Sequence, residues 1–190
     1  MHFALLAGLV GLASAATSVD TFANVTIFDP DPNNRVTYVR TESIPDGSLF
    51  ATWSNNATEN GTIPIYRSTD NGFSWYTAAT VTSDETNRRL VQPHLLYINE
   101  TFGSYTDGVL LLAVNAIDNT STNIQIYASA DSGDTWSLAT TVATGGKANT
   151  TNGATPVWEP FLMYKYVIEV SVCYCCDGKH GLPYSIVELH

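Results

Sequence analysis

Apolar residues along this chain recur in short runs rich in β-branched and aromatic side chains, and Gly, Asn, Asp and Pro separate one run from the next. That pattern predicts strands joined by tight turns rather than helices. One set of runs covers 36–40, 48–53, 63–68 and 75–81, and a second covers 91–98, 109–114, 123–129 and 136–142. Each set amounts to four strands, the content of one propeller blade. No segment keeps a sustained helical period, so the fold class is all-β.

The two sets are copies of each other. With a shift of 61 positions Gly47 falls on Gly108, Leu49 on Leu110, Tyr66 on Tyr127, Ser68 on Ser129, Asp70 on Asp131, Gly72 on Gly133 and Trp75 on Trp136. A period of this size marks stacked supersecondary units that cannot bury their faces alone. A second overlay, shifted by 67, places Gln92 on Glu159, Pro93 on Pro160, Leu95 on Leu162 and Tyr97 on Tyr164. A third unit therefore starts near 155, after units at about 25–85 and 86–147, and a divergent tail is expected over 165–190. Pro is tolerated at the first residue of a strand, which is where this overlay puts Pro93 and Pro160.

Between the third and fourth runs of each unit stands the same turn, Ser68-Thr69-Asp70-Asn71-Gly72-Phe73-Ser74-Trp75 and Ser129-Ala130-Asp131-Ser132-Gly133-Asp134-Thr135-Trp136. In S-x-D-x-G-x-x-W the carboxylate can accept main-chain N–H bonds across its own turn. The glycine can take a positive φ and the tryptophan can fold back over the hairpin. These eight positions read as scaffold and not as catalytic groups.

The amino end adds a destination. An apolar run from Phe3 to Leu12 leads into Ala13-Ser14-Ala15, the pattern a signal peptidase cleaves, so 1–15 is expected to be a signal peptide. The run is too short to span a bilayer, and no later stretch is long and apolar enough. Sequons at Asn24, Asn56, Asn60, Asn99, Asn119 and Asn149 fit an exported glycoprotein. The net charge of −10, from 8 basic and 18 acidic residues, argues against nucleic acid as a partner, since phosphate binding needs clustered Lys and Arg. All three cysteines, Cys173, Cys175 and Cys176, lie near the carboxyl end, so packing rather than a disulfide framework must hold the main body. No cofactor is implied, and no spacing suggests a metal site.

The repeated eight-residue turn is similar to the Asp box of sialidase-like β-propellers. The resemblance sharpens at 91–96, at 108–115, at Gly145-Gly146 and at 157–162, which look like the amino-terminal half of glycoside hydrolase family 93. That family comprises retaining exo-α-1,5-arabinanases on a six-bladed propeller that use two glutamates. The resemblance implies a secreted enzyme acting on arabinan, a polysaccharide or oligosaccharide partner, and Glu159 as the first glutamate. Glu159 is flanked by Trp158, Pro160 and Phe161, an apolar setting suited to acid–base work, and the competing reading is a surface glutamate at a strand end. Gln92, Trp158 and Arg40 are the accompanying candidates for sugar contacts. No motif surrounds Glu42 or Glu100, so the second glutamate is missing. The match covers roughly 25 to 164, about two blades and the first strand of a third of a six-bladed fold, and a chain so composed is expected not to catalyse alone. The tail is expected to reflect a misjoined reading frame or, alternatively, a real edge strand with apolar residues alternating at Ile168, Val170, Val172 and Tyr174. A sialidase would need three convergent arginines, which Arg35, Arg40, Arg88 and Arg89 do not supply by motif. A non-catalytic carbohydrate-binding protein is the other alternative.

Overall fold

The computed structural model describes residues 24–55, 61–151, 153–165, 169–176 and 184–187, with side chains as far as Tyr164. The proposed signal peptide and the sequons at Asn56 and Asn60 lie outside these residues. The asparagines of the other four sequons, Asn24, Asn99, Asn119 and Asn149, are exposed.

Strands β1 (Val36–Ser43), β2 (Leu49–Asn55), β3 (Ile63–Ser68) and β4 (Tyr76–Val81) form one antiparallel meander. Strands β5 (Arg89–Ile98), β6 (Val109–Ile117), β7 (Thr122–Ser129) and β8 (Ser137–Gly145) form the next. Each runs in the order of the chain, as the repeated polar turns require. Strand β9 (Val157–Lys165) opens a third sheet, joined by β10 (Glu169–Cys176) and β11 (Tyr184–Val187) in the order β11-β10-β9.

This corrects the expectation that the third unit stops at its first strand. Val170 pairs with Tyr164 and Val172 with Leu162 across β9–β10, and Val170 pairs again with Val187 across β10–β11. The alternation of apolar residues in the tail is the physical reason, since a period of two suits a pleated strand.

Burial accounts for the apolar run at 109–114. All nine residues of β6 are buried. Val109, Leu111 and Ala113 enter a core shared with Ile124, Ile126, Val157 and Leu162, toward the third sheet. Leu110, Leu112, Val114 and Ala116 enter a second core with Phe50, Ile63, Ile65 and Leu90, toward the first sheet. A strand covered on both faces needs no polar side, and the middle sheet is therefore the packed centre of the three.

The two S-x-D-x-G-x-x-W turns close β3–β4 and β7–β8 with nearly superimposable bonding. Ser68 Oγ donates to Asp70 Oδ1 at 2.8 Å and accepts from the Gly72 N–H at 2.8 Å, and Ser129 does the same with Asp131 and Gly133 at 2.8 and 2.8 Å. The carboxylates take the N–H of Ser74 at 2.8 Å and of Thr135 at 2.9 Å. Trp75 and Trp136 donate Nε1–H to the carbonyls of Gly72 and Gly133 at 3.1 and 3.0 Å. Asn71 and Gly72 have φ of 59° and 86°, and Ser132 and Gly133 have 58° and 86°. A pair of left-handed residues is what a tight hairpin with matching twist uses.

Candidate functional site

Each sheet begins with a strand that carries the same irregularity. In β1 the pairing with β2 jumps from Thr37–Ser54 to Arg40–Thr52, so Tyr38 and Val39 face one partner residue. In β5 it jumps from Val91–Asn115 to His94–Ala113, with Gln92 and Pro93 in the extra position. In β9 it jumps between Trp158–Cys175 and Phe161–Cys173, with Glu159 and Pro160 there. These are three copies of one β-bulge. Pro93 and Pro160 thus sit inside their strands at the bulge, not at the strand starts, because a bulge residue has no ladder bond for the missing N–H to break.

The first residue of each bulge is left-handed although none is glycine: Tyr38 has φ 55°, Gln92 54° and Glu159 55°. Such a conformation costs a bulky residue about 1–3 kcal/mol and is held only where surrounding structure over-determines it. Here it re-aims three side chains to one place. Tyr38 Oη donates to Glu159 Oε1 at 2.8 Å, Gln92 Nε2 donates to Tyr38 Oη at 3.1 Å, and the Glu159 N–H donates to Gln92 Oε1 at 3.1 Å. Donation to Glu159 is the main reason the Tyr38 phenol is pushed above its ordinary value.

The cluster is braced from below. The Gln92 N–H donates to Ser54 Oγ at 2.7 Å. Asn115, which occupies the position of Ser54 in the next unit, donates Nδ2–H to Gln92 Oε1 at 3.1 Å and to the Val157 carbonyl at 2.8 Å. Farther along, Glu42 in β1 accepts the Tyr97 N–H at 3.2 Å and Glu100, just past β5, accepts the Tyr164 hydroxyl at 2.8 Å. Both acids lace neighbouring sheets together.

Glu159 is exposed, and its setting is not the apolar pocket its sequence neighbours suggest. The bulge turns its carboxylate toward the Tyr38 hydroxyl. Trp158 is half-buried beside it. Arg40 is half-buried and donates to the Val39 carbonyl at 3.0 Å. One register step on, His94 packs at a tilt against Phe161, 4.2 Å between centroids, and accepts the Leu162 N–H on Nδ1 at 3.4 Å. Burial, with the Arg40 charge second, brings the His94 imidazole down to about 4, so at neutral pH it is an uncharged packing residue.

The repeated turns lie at the other end of the sheets. Ser68 pairs with Leu49, which pairs with Ser43, on the order of 15 Å along the strand from Tyr38. Asp70 and Asp131 are thus held away from Glu159. Among the arginines, Arg88 is committed to Glu85, Asp118, Ser121 and the Ala116 carbonyl. That network underlies a polar hollow of about 750 Å³ lined by Thr82, Ser83, Glu85–Arg89, Ile117–Asn119 and Lys147, which shares no residue with the Glu159 cluster.

Of the residues anticipated from sequence, Gln92 and Glu159 meet; Trp158 precedes Glu159 in β9, and Arg40 lies on β1 two residues past Tyr38. Tyr38 and Asn115 were missed. Tyr38 stands 54 positions before Gln92 while Glu159 stands 67 after it, so no single shift aligns the three. The available signal was the order of first-strand runs, Thr37-Tyr38-Val39-Arg40 against Val91-Gln92-Pro93-His94.

Consecutive four-stranded antiparallel meanders define a β-propeller-like protein. No family model and no curated protein sequence matches the chain. Solved structures do. The α-L-arabinanase of Penicillium chrysogenum complexed with arabinobiose is 40% identical with a TM-score of 0.76, over 82% of this chain and 46% of that one. A mutant of the α-L-arabinofuranosidase of Fusarium graminearum in complex with an iminosugar inhibitor is 39% identical with a TM-score of 0.75, over 82% and 45%. The glycoside hydrolase family 93 α-L-arabinofuranosidase of Fusarium graminearum with arabinobiose is 38% identical with a TM-score of 0.76, over the same shares. This chain is related to glycoside hydrolase family 93 in both sequence and fold, and it spans a little under half the length of the solved structures it matches. Among the described residues no helix is long and apolar enough to cross a membrane.

Proposed function

We propose that this chain carries the Glu159 half of an arabinan-recognising glycosidase site. The observation that bears it is the convergence of Tyr38, Gln92 and Glu159 through three equivalent bulges, in a chain related to structures that hold arabinobiose. Glu159 is the carboxylate offered to the anomeric carbon, Gln92 and Arg40 hydrogen-bond sugar hydroxyls, and Trp158 supplies a stacking face. The chemistry is a retaining displacement, in which one carboxylate attacks and a second group, about 5–5.5 Å away, first protonates the leaving oxygen and then activates water. Among the described residues Glu159 is the one carboxylate in the cluster, so the chain alone is expected to bind without turnover.

The test is calorimetric titration of the secreted chain with arabinobiose, beside product release from linear α-1,5-arabinan, for wild type and Glu159→Gln. Binding without release is the expected result. Release that persists in Glu159→Gln would remove Glu159 from the role, and absence of binding would remove the sugar reading. Export through 1–15, with glycans on the exposed asparagines, belongs to the same proposal. A drop in apparent mass on enzymatic deglycosylation checks it.

A further inference from the structure

A glutamine amide can be built either way round, but around Gln92 the neighbours decide. The Glu159 main-chain N–H can only donate, so the Gln92 atom 3.1 Å from it is the oxygen. The Val157 carbonyl can only accept, so the Asn115 amide turns its Nδ2 toward it at 2.8 Å and gives its other proton to the same Gln92 oxygen at 3.1 Å. Gln92 Nε2 is then left to donate to Tyr38 Oη. With one side of the phenol oxygen occupied by that donor, its single proton goes to Glu159 Oε1.

We infer that Tyr38 is a positioning residue for Glu159: the cycle of Tyr38, Gln92 and the Glu159 N–H holds Oε1 as an acceptor and leaves Oε2 as the oxygen presented to a bound sugar. The inference rests on the arabinan-recognising reading of the site. Tyr38 is exposed, with 36% of its surface open to solvent, so its ring adds little to the core. Both hydroxyl partners lie within the cluster. The left-handed backbone that aims it recurs at Gln92 and Glu159, so the three groups are aimed by one device. Because they come from three sheets, the oxygen presented to the sugar is set by how the sheets are packed together.

Tyr38→Phe deletes one atom and keeps the ring. Arabinobiose affinity is measured on the whole chain for wild type, Tyr38→Phe, Glu159→Ala and the double variant. The expected result is a loss of about tenfold for Tyr38→Phe in the wild-type background, the scale of a hydrogen bond to a charged group. Less than about twofold is expected in the Glu159→Ala background, because the phenol acts through the carboxylate. Equal losses in both backgrounds would show that the phenol touches the sugar or serves only the fold. No loss in either would overturn the inference while wild-type binding keeps the sugar reading intact.

A second readout does not depend on sugar. In tyrosinate absorbance titrations, Glu159→Ala should bring down a late-ionising tyrosine that Tyr38→Phe removes altogether. If wild type binds no arabinobiose, the sugar reading falls, and this titration decides the positioning of Glu159. Unchanged curves refute it and the shift upholds it.

Discussion

Gly72 and Gly133 offer a matched pair for asking how much of the stability comes from packing between sheets. Both hold φ of 86° in the same turn, so Gly→Ala at either site costs the same left-handed penalty, about 1–2 kcal/mol. Their surroundings differ. A Cβ at Gly72 would meet nothing nearer than Leu49 Cδ1 at 3.6 Å, an ordinary contact. At Gly133 it would stand 2.6 Å from Cε1 and 3.3 Å from Cζ of Phe50. Phe50 belongs to the first sheet and is 0% exposed, packed in the core between the first two sheets, so its ring has no open space to swing into. Overpacking of this kind adds about 1–3 kcal/mol. The expected losses are about 1–2 kcal/mol for Gly72→Ala and about 2–5 kcal/mol for Gly133→Ala. Denaturant unfolding reads them as midpoint shifts at unchanged slope. Phe50→Leu in the Gly133→Ala background should recover part of the loss, although Phe50→Leu alone destabilises. Equal midpoint shifts for the two alanines would refute the claim that the second turn is wedged against the first sheet.

The remaining expectations concern pH and the site. His94 is held down to about 4, chiefly by burial. The unfolded chain, whose imidazole binds its proton at about 6.5, therefore takes up a proton first as pH falls. His94 stability is fully present above about 6.5 and is lost toward 4, so melting temperature should fall through that window in wild type and less steeply in His94→Leu. Asp118 is lowered to about 2, first by the Thr120 N–H, then by the Thr120 hydroxyl and the Ser121 N–H, with Arg88 contributing. Its contribution is present above about 4 and is lost as pH falls toward 2. Asp118→Ala should flatten the acid limb of the stability curve there and leave the neutral region parallel to wild type. Asn115→Leu removes the donor that orients the Gln92 amide, and arabinobiose affinity should fall with it even though Asn115 is itself fully buried.

Much of the architecture was open to reading because the turns are written locally. Ser, Asp, Gly and Trp at fixed offsets make a hairpin wherever they stand, since every bond in it closes within eight residues. The two copies of that hairpin set the phase from which the eight strands followed. The apolar run from Val109 onward likewise announced a strand, and only the structure showed it covered on both faces. The third sheet was read short, because the tail lacks the turn that marks the other sheets and its strands declare themselves only through alternation.

Sequence alone determined the strands of the first two sheets, the repeat, the two turns, the kinship with an arabinan-acting family and the pairing of Gln92 with Glu159, because each rests on spacing within one stretch or between two similar ones. Only the tertiary structure decided that Tyr38 joins them, that Glu159 meets a hydroxyl instead of an apolar wall, and that Asn115 fixes the glutamine between them. Those contacts run between strands 54 and 67 positions apart. They depend on three non-glycine residues taking a left-handed turn that no local preference would choose. A bulge imposes that turn once the sheets are packed, and packing is a property of the whole fold rather than of any segment.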